Sequence, residues 1–168
     1  MWVQDHFKPR PNDIFLASFL KSGTTWLKAL IFATVNRTCY GFADHPLLTM
    51  GPHYCFPFLD AHLQEKDRSH FDLDRFPSPR LLSMHIPYIL LPNSTTDHQS
   101  CRFVYIYRDP KDVLVSKWLF LNKLRPKDLP PISIEEAFEL FCQRIRLCGP
   151  HGPIGLARVL HTASTAIT

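Results

Sequence analysis

The sequence contains no run of five or six like charges and no apolar stretch approaching the roughly 18 residues that a bilayer crossing requires. Its nineteen Lys and Arg are scattered and exceed the fifteen Asp and Glu by only +4. That balance excludes a duplex-binding face built on phosphate neutralisation but suits a small anionic ligand. Neither nucleic acid nor a membrane is an expected partner. The five cysteines, Cys39, Cys55, Cys101, Cys142 and Cys148, are odd in number and include no Cys-x-x-Cys pair, so neither a disulfide framework nor a zinc site is indicated. They read as reduced, mostly buried thiols. The first residues lack the basic-then-apolar order of a secretory leader, so a cytoplasmic address is expected and the sequons at Asn36 and Asn93 carry no weight. Glycine is scarce, six against fifteen prolines, and proline on that scale implies much loop. What remains, 45% hydrophobic and 20% charged over 168 residues, is the composition of one packed domain.

No internal repeat organises the chain, so punctuation and periodicity do. Asp13 to Ser18 is a short apolar run behind the turn residues Pro11 and Asn12 and reads as a buried strand. The polar loop Lys21-Ser22-Gly23-Thr24-Thr25 then leads into Trp26–Val35, a helix with a mostly buried surface. Residues 36–79 are rich in Pro, His, Asp and Phe without sustained period and read as irregular, site-forming connection, with a short helical possibility near Leu59 to Lys66. Arg80 to His85 is a second strand candidate and Arg102 to Tyr107, β-branched and aromatic, a third. The third runs into Arg108-Asp109-Pro110, where Asp109 can cap a helix over Val113–Leu121 and Pro110 suits its first turn. After a Pro-rich linker, Ser133-Ile-Glu-Glu136 forms a capping box for a last helix, stopped at Gly149 and Pro150. Strands alternating with helices give the α/β class with a parallel sheet.

Two places suit anions. In Lys21-Ser22-Gly23-Thr24-Thr25 the free N–H groups of a helix start, two threonine hydroxyls, a mobile cation and a glycine that admits close backbone approach fit a phosphate or sulfate. The order is not that of a Walker A loop, because the lysine precedes the glycine, so a metal- and ATP-dependent kinase is disfavoured. A polar helix start without a ligand fits the same spacing. Arg108, at the end of a strand, is the second place, and Ser116, about two turns into the next helix, can add a hydroxyl. A surface pair of Arg108 with Asp109 or Asp112 is the plainer alternative. Trp26 could stack on a base or simply belong to the core. His85 also ends a strand, where an imidazole could take a proton from a hydroxyl, but nothing local separates it from the other histidines.

Three strings together carry a resemblance: Phe15-Leu-Ala-Ser-Phe-Leu-Lys-Ser-Gly-Thr-Thr-Trp-Leu-Lys-Ala-Leu30, Leu81-Leu-Ser-Met-His-Ile-Pro-Tyr88, and Phe103-Val-Tyr-Ile-Tyr-Arg-Asp-Pro-Lys-Asp-Val-Leu-Val-Ser-Lys-Trp118. In this order they resemble the cytosolic sulfotransferases, particularly the plant-type branch, over about residues 10 to 150. The resemblance implies a three-layer fold with a central parallel sheet, related to nucleotide kinases, and the donor 3′-phosphoadenosine 5′-phosphosulfate. It implies that Lys21, Ser22, Gly23, Thr24 and Thr25 hold the 5′-phosphosulfate, Trp26 stacks on adenine, and Arg108 and Ser116 take the 3′-phosphate. His85 would be the general base and Lys21 would stabilise the leaving phosphate oxygen, with no metal required. The acceptor would be a small hydroxylated molecule.

Three departures are visible. Leu20 stands where the family usually has Pro, Met84 where Thr is common, and the family's C-terminal Arg-Lys-Gly-x-x-Gly-Asp-Trp-Lys segment is not present. The expected organisation is therefore the N-terminal part of a sulfotransferase domain over 1–150 and a divergent, weakly ordered tail over 151–168. A truncated, inactive product that keeps part of the donor site or serves as an interaction partner is the alternative from another functional class.

Overall fold

A computed structural model of the chain describes residues 7–59, 73–86, 91–96 and 101–142. The helical possibility at 60–66, the helix stop at Gly149, Cys148 and the tail 151–168 lie outside the described residues. The chain divides into two units, residues 1–18 with 23–106 and residues 19–22 with 107–168.

The first unit is built on a three-stranded parallel sheet of β1 (Ile14–Ser18), β2 (Leu81–Met84) and β3 (Arg102–Ile106), in the order β2-β1-β3. Ile14 is in register with Leu81 on one side and Arg102 on the other, so the carboxyl ends of the strands reach one edge together. The apolar runs read as strands because side chains alternate between two buried faces. Phe15, Leu82 and Met84 join Phe7, Leu59 and Leu91 in one core cluster, and Phe103 stacks on Phe15 with centroids 5.0 Å apart. Ile14, Leu16, Leu81 and Phe56 form the other cluster, covered by Leu27, Ile31 and Val35 of α1 (Thr24–Val35). The central strand has neighbours on both sides, with the connections leaving in opposite directions, which is where an α/β sheet opens a crevice for a ligand.

The stretch from residue 36 is irregular, as its composition indicates, but it is not untethered. It makes a 3₁₀ turn at Pro46–Leu48 and a short helix α2 (Pro52–Cys55), then runs beside β2. There Phe58 forms a parallel bridge with Ser83, Leu59 N donates to Ser83 O at 2.8 Å, and Ser83 N donates to Pro57 O at 2.9 Å. A single turn, α3 (Asn93–Thr96), precedes β3.

The second unit holds α4 (Pro110–Leu124) and α5 (Ile134–Cys142). The sequence cues for both starts hold at atomic detail. Asp109 Oδ1 accepts from Lys111 N at 2.8 Å with Pro110 in the first turn, and Ser133 Oγ accepts from Glu136 N at 3.1 Å. The intervening loop is pinned by Ile132, whose carbonyl accepts from Trp118 Nε1 at 2.7 Å and from Asn122 Nδ2 at 3.0 Å.

Two expectations are corrected. Helix α1 does not have a mostly buried surface: only Thr24 and Lys28 are buried, while Trp26 and Leu30 stand in solvent, because one face alone meets the sheet. The cysteines are not mostly buried either. Among the described residues, Cys39 and Cys142 are exposed and Cys55 and Cys101 half-buried, at element ends or in loops.

Candidate functional site

In the first unit the chemistry gathers at the carboxyl ends of β1 and β2. His85 follows Met84 directly, and its Nδ1 lies 2.8 Å from the backbone oxygen of Ser18, the last residue of β1. A carbonyl only accepts, so Nδ1 carries the proton and Nε2 keeps its lone pair. The Ser18 hydroxyl lies 3.4 Å from the same nitrogen and 2.7 Å from Thr24 Oγ1. Burial is the largest influence on His85 and pushes it below the ordinary imidazole range; its bond to Ser18 opposes this, and the charge of Lys28 adds to the lowering. The result is an imidazole that is neutral at physiological pH, the state required of a proton acceptor.

Helix α1 begins beside this histidine with an open N-terminus. Gly23, at the N-cap, has φ +99°, a left-handed conformation, and no side chain caps the helix. The orphan N–H groups of the first turn are thus available to an anion. Thr24 is buried and engaged with Ser18, and Thr25 is exposed.

Further along α1, Lys28 is fully buried. Its Nζ lies 3.1 Å from the centroid of the Phe58 ring and 3.4 Å from His53 Nδ1. Phe58 in turn packs on His85 with centroids 5.0 Å apart and on His53 at 5.6 Å. Burial, then Lys28, push His53 below its ordinary range.

The second unit carries Lys21 and Arg108. Lys21 has φ +67°, and its ammonium sits over the Phe120 ring, 4.1 Å from the centroid. Ser22 is buried, and its hydroxyl has no hydrogen-bond partner. Arg108 directs Nη1 at the Lys21 carbonyl at 3.5 Å and pairs through Nε with Asp112 at 3.3 Å, one turn into α4. The plainer pairing of Arg108 is therefore present, on a side chain that is exposed and able to exchange partners. Ser116 is half-buried on the same helix.

Reading by type and spacing picked out the loop Lys21–Thr25, Trp26, Arg108 and Ser116, and needed the family resemblance to single out His85. It missed Ser18, Lys28, His53 and Phe58. One signal for Lys28 was present: it follows Thr24 by four residues and so falls on the face that carries Leu27, Ile31 and Val35 to the sheet, where a lysine is out of place.

The sulfotransferase domain family matches residues 11–152. Cytosolic sulfotransferase 17 of Arabidopsis thaliana is 44% identical over 157 residues, covering 89% of this chain and 42% of that protein. Among solved structures, an Arabidopsis thaliana protein assigned as a steroid sulphotransferase superposes with a TM-score of 0.70 at 42% identity, over 88% of this chain and 50% of that one. A mouse sulfotransferase complexed with PAP gives 0.53 at 30% identity, over 83% and 44%. The chain thus spans about half the length of these relatives or less. With the parallel sheet, the open helix start after β1 and the histidine after β2 in the family's order, the chain belongs to the sulfotransferase family, in its plant-type branch.

Proposed function

We propose that this chain forms the donor-binding and proton-accepting part of a cytoplasmic enzyme that moves a sulfuryl group from 3′-phosphoadenosine 5′-phosphosulfate to the hydroxyl of a small acceptor. The observation that carries the reading is the placement of a neutral histidine of fixed tautomer, His85 on Ser18, beside the uncapped start of α1. The names of the relatives and the PAP complex of the mouse protein support the donor class.

The residues present fit such a donor. A buried Ser22 hydroxyl without a partner, a left-handed Gly23 and unspent N–H groups are what a tetrahedral oxyanion would satisfy. Lys21 to Thr25 hold the 5′ end in this reading, Arg108 and Ser116 the 3′-phosphate, and the exposed Trp26 offers its ring to adenine. His85 Nε2 takes the acceptor's hydroxyl proton as that oxygen bonds to sulfur and the bond from sulfur to the phosphate oxygen breaks. Lys21 neutralises the charge gathering on that departing oxygen, the moment at which a fixed cation lowers the barrier most.

Calorimetric titration of the 168-residue chain with 3′-phosphoadenosine 5′-phosphate tests this. Saturable binding weakened at least about tenfold by Lys21→Ala and by Arg108→Ala is expected, since each removes a charge-assisted contact. A folded wild-type chain that shows no binding overturns the reading.

A further inference from the structure

Among the buried charges that the mechanism above leaves unused, Lys28 lies nearest the proposed base. Lys28 has no exposed surface, yet a fully buried lysine is strongly disfavoured unless its ammonium is engaged. A position serving only packing would be filled as well by methionine, which has the length without the charge. What surrounds Lys28 is not generic core. Its Nζ rests on the face of Phe58 and beside His53, and the same Phe58 ring packs on His85. Phe58 is itself held by backbone pairing to Ser83, two residues before His85. A continuous chain of contacts therefore links the lysine to the base.

We propose that Lys28 is a positioning residue for His85: its ammonium, seated on Phe58, holds that ring against the imidazole and keeps the imidazole neutral, with its proton on Nδ1 toward Ser18. The inference rests on His85 being the base of the proposed reaction and deepens that reading. Among the described residues, charged, titratable and hydrogen-bonding groups near the imidazole come from three elements. Lys28 from α1 and the Ser18 carbonyl from β1 act in opposite directions, the cation against a second proton on the ring and the carbonyl in favour of it, while His53 from α2 shares the Phe58 ring. Between poorly solvated groups the influence of a cation persists over a few ångströms at a strength that solvent would remove at the surface. Lys28 is enclosed and acts through its neighbours.

The test follows the His85 ring by NMR through a pH titration of the 168-residue chain, with His85→Asn identifying its signal. In the wild type a single Nδ1–H tautomer and a midpoint below 6.5 are expected. In Lys28→Met the midpoint rises by about half a pH unit or more, and in Lys28→Arg, which restores the charge, it returns to within about 0.2 of the wild type. A merely structural lysine would leave the Met variant's midpoint unchanged, and that result overturns the proposal. So does a wild-type midpoint at or above 6.5, or a mixed tautomer, neither of which depends on a variant folding. Loss of donor-product binding would sink the transferase reading without moving this titration, so the two failures are distinguishable.

Discussion

Asp13 and Arg80 stand immediately before β1 and β2 and join them by a two-pronged ion pair. Arg80 Nε donates to Asp13 Oδ1 at 2.9 Å and Nη2 to Oδ2 at 2.6 Å, with both side chains 1% exposed. The pair continues the parallel register of Ile14 with Leu81 and makes further bonds: Arg80 also reaches the Lys8 carbonyl, and Asp13 accepts from Arg10 N. A one-residue slip of β2 would exchange its two buried faces and separate this pair, so the pair helps to specify which register places His85 beside Ser18.

Removing one partner leaves the other charge buried and uncompensated. Arg80→Leu is expected to destabilise the fold by about 3–5 kcal/mol, read from the urea midpoint, whereas Asp13→Leu with Arg80→Leu loses less than the single Arg80 variant. A single variant within about 1 kcal/mol of the wild type would show that the pair does not hold the strands.

Gly23 offers a cleaner backbone test. An added Cβ would lie 3.6 Å from Ile106 Cδ1, an ordinary contact, so space is not the obstacle. Its φ of +99° is. Gly23→Ala is expected to cost about 1–2 kcal/mol of stability or to shift the loop to another conformation. Unchanged stability together with unchanged binding of 3′-phosphoadenosine 5′-phosphate would show that the left-handed turn is not required.

The strands were legible because β1 and β2 are apolar runs buried on both faces and β3 is a β-branched and aromatic run, and the starts of α4 and α5 because Asp109-Pro110 and Ser133 are local capping signals. The anion loop was legible as a string. The surroundings of the base were not. His53 and Phe58 lie in a stretch without period, and Phe58 reaches His85 because the backbone at Pro57 to Leu59 pairs with Ser83, a long-range choice that no local pattern announces. Trp26 invites a core reading on residue type alone. The sheet, however, takes the face of α1 that carries Thr24, Leu27, Lys28, Ile31 and Val35, which turns Trp26 and Leu30 outward.

The lowered imidazoles give the fold a defined acid response. The unfolded His85 takes up its proton near pH 6.5, and the folded one only at lower pH, so as pH falls through this window the unfolded state binds more protons and stability falls with it. His53 contributes in the same direction from a more exposed position. The urea midpoint is expected to drop between about pH 7.5 and about pH 5.5, and to drop less in His85→Gln. An identical drop in that variant would place the acid sensitivity elsewhere.

His85→Asn separates the two tasks given to this residue. The asparagine amide can still donate to the Ser18 carbonyl, as Nδ1 does at 2.8 Å, but offers no nitrogen lone pair at the Nε2 position. Sulfuryl transfer to a nitrophenol, followed by the absorbance of the free phenol, is expected to fall at least about 100-fold, the usual worth of a positioned base. Affinity for 3′-phosphoadenosine 5′-phosphate should stay within about threefold of the wild type, because no contact to the donor is assigned to His85. Transfer that survives the substitution would mean that the acceptor proton leaves by another route. Loss of donor binding as well would mean that His85 is needed to build the site and not only to run it.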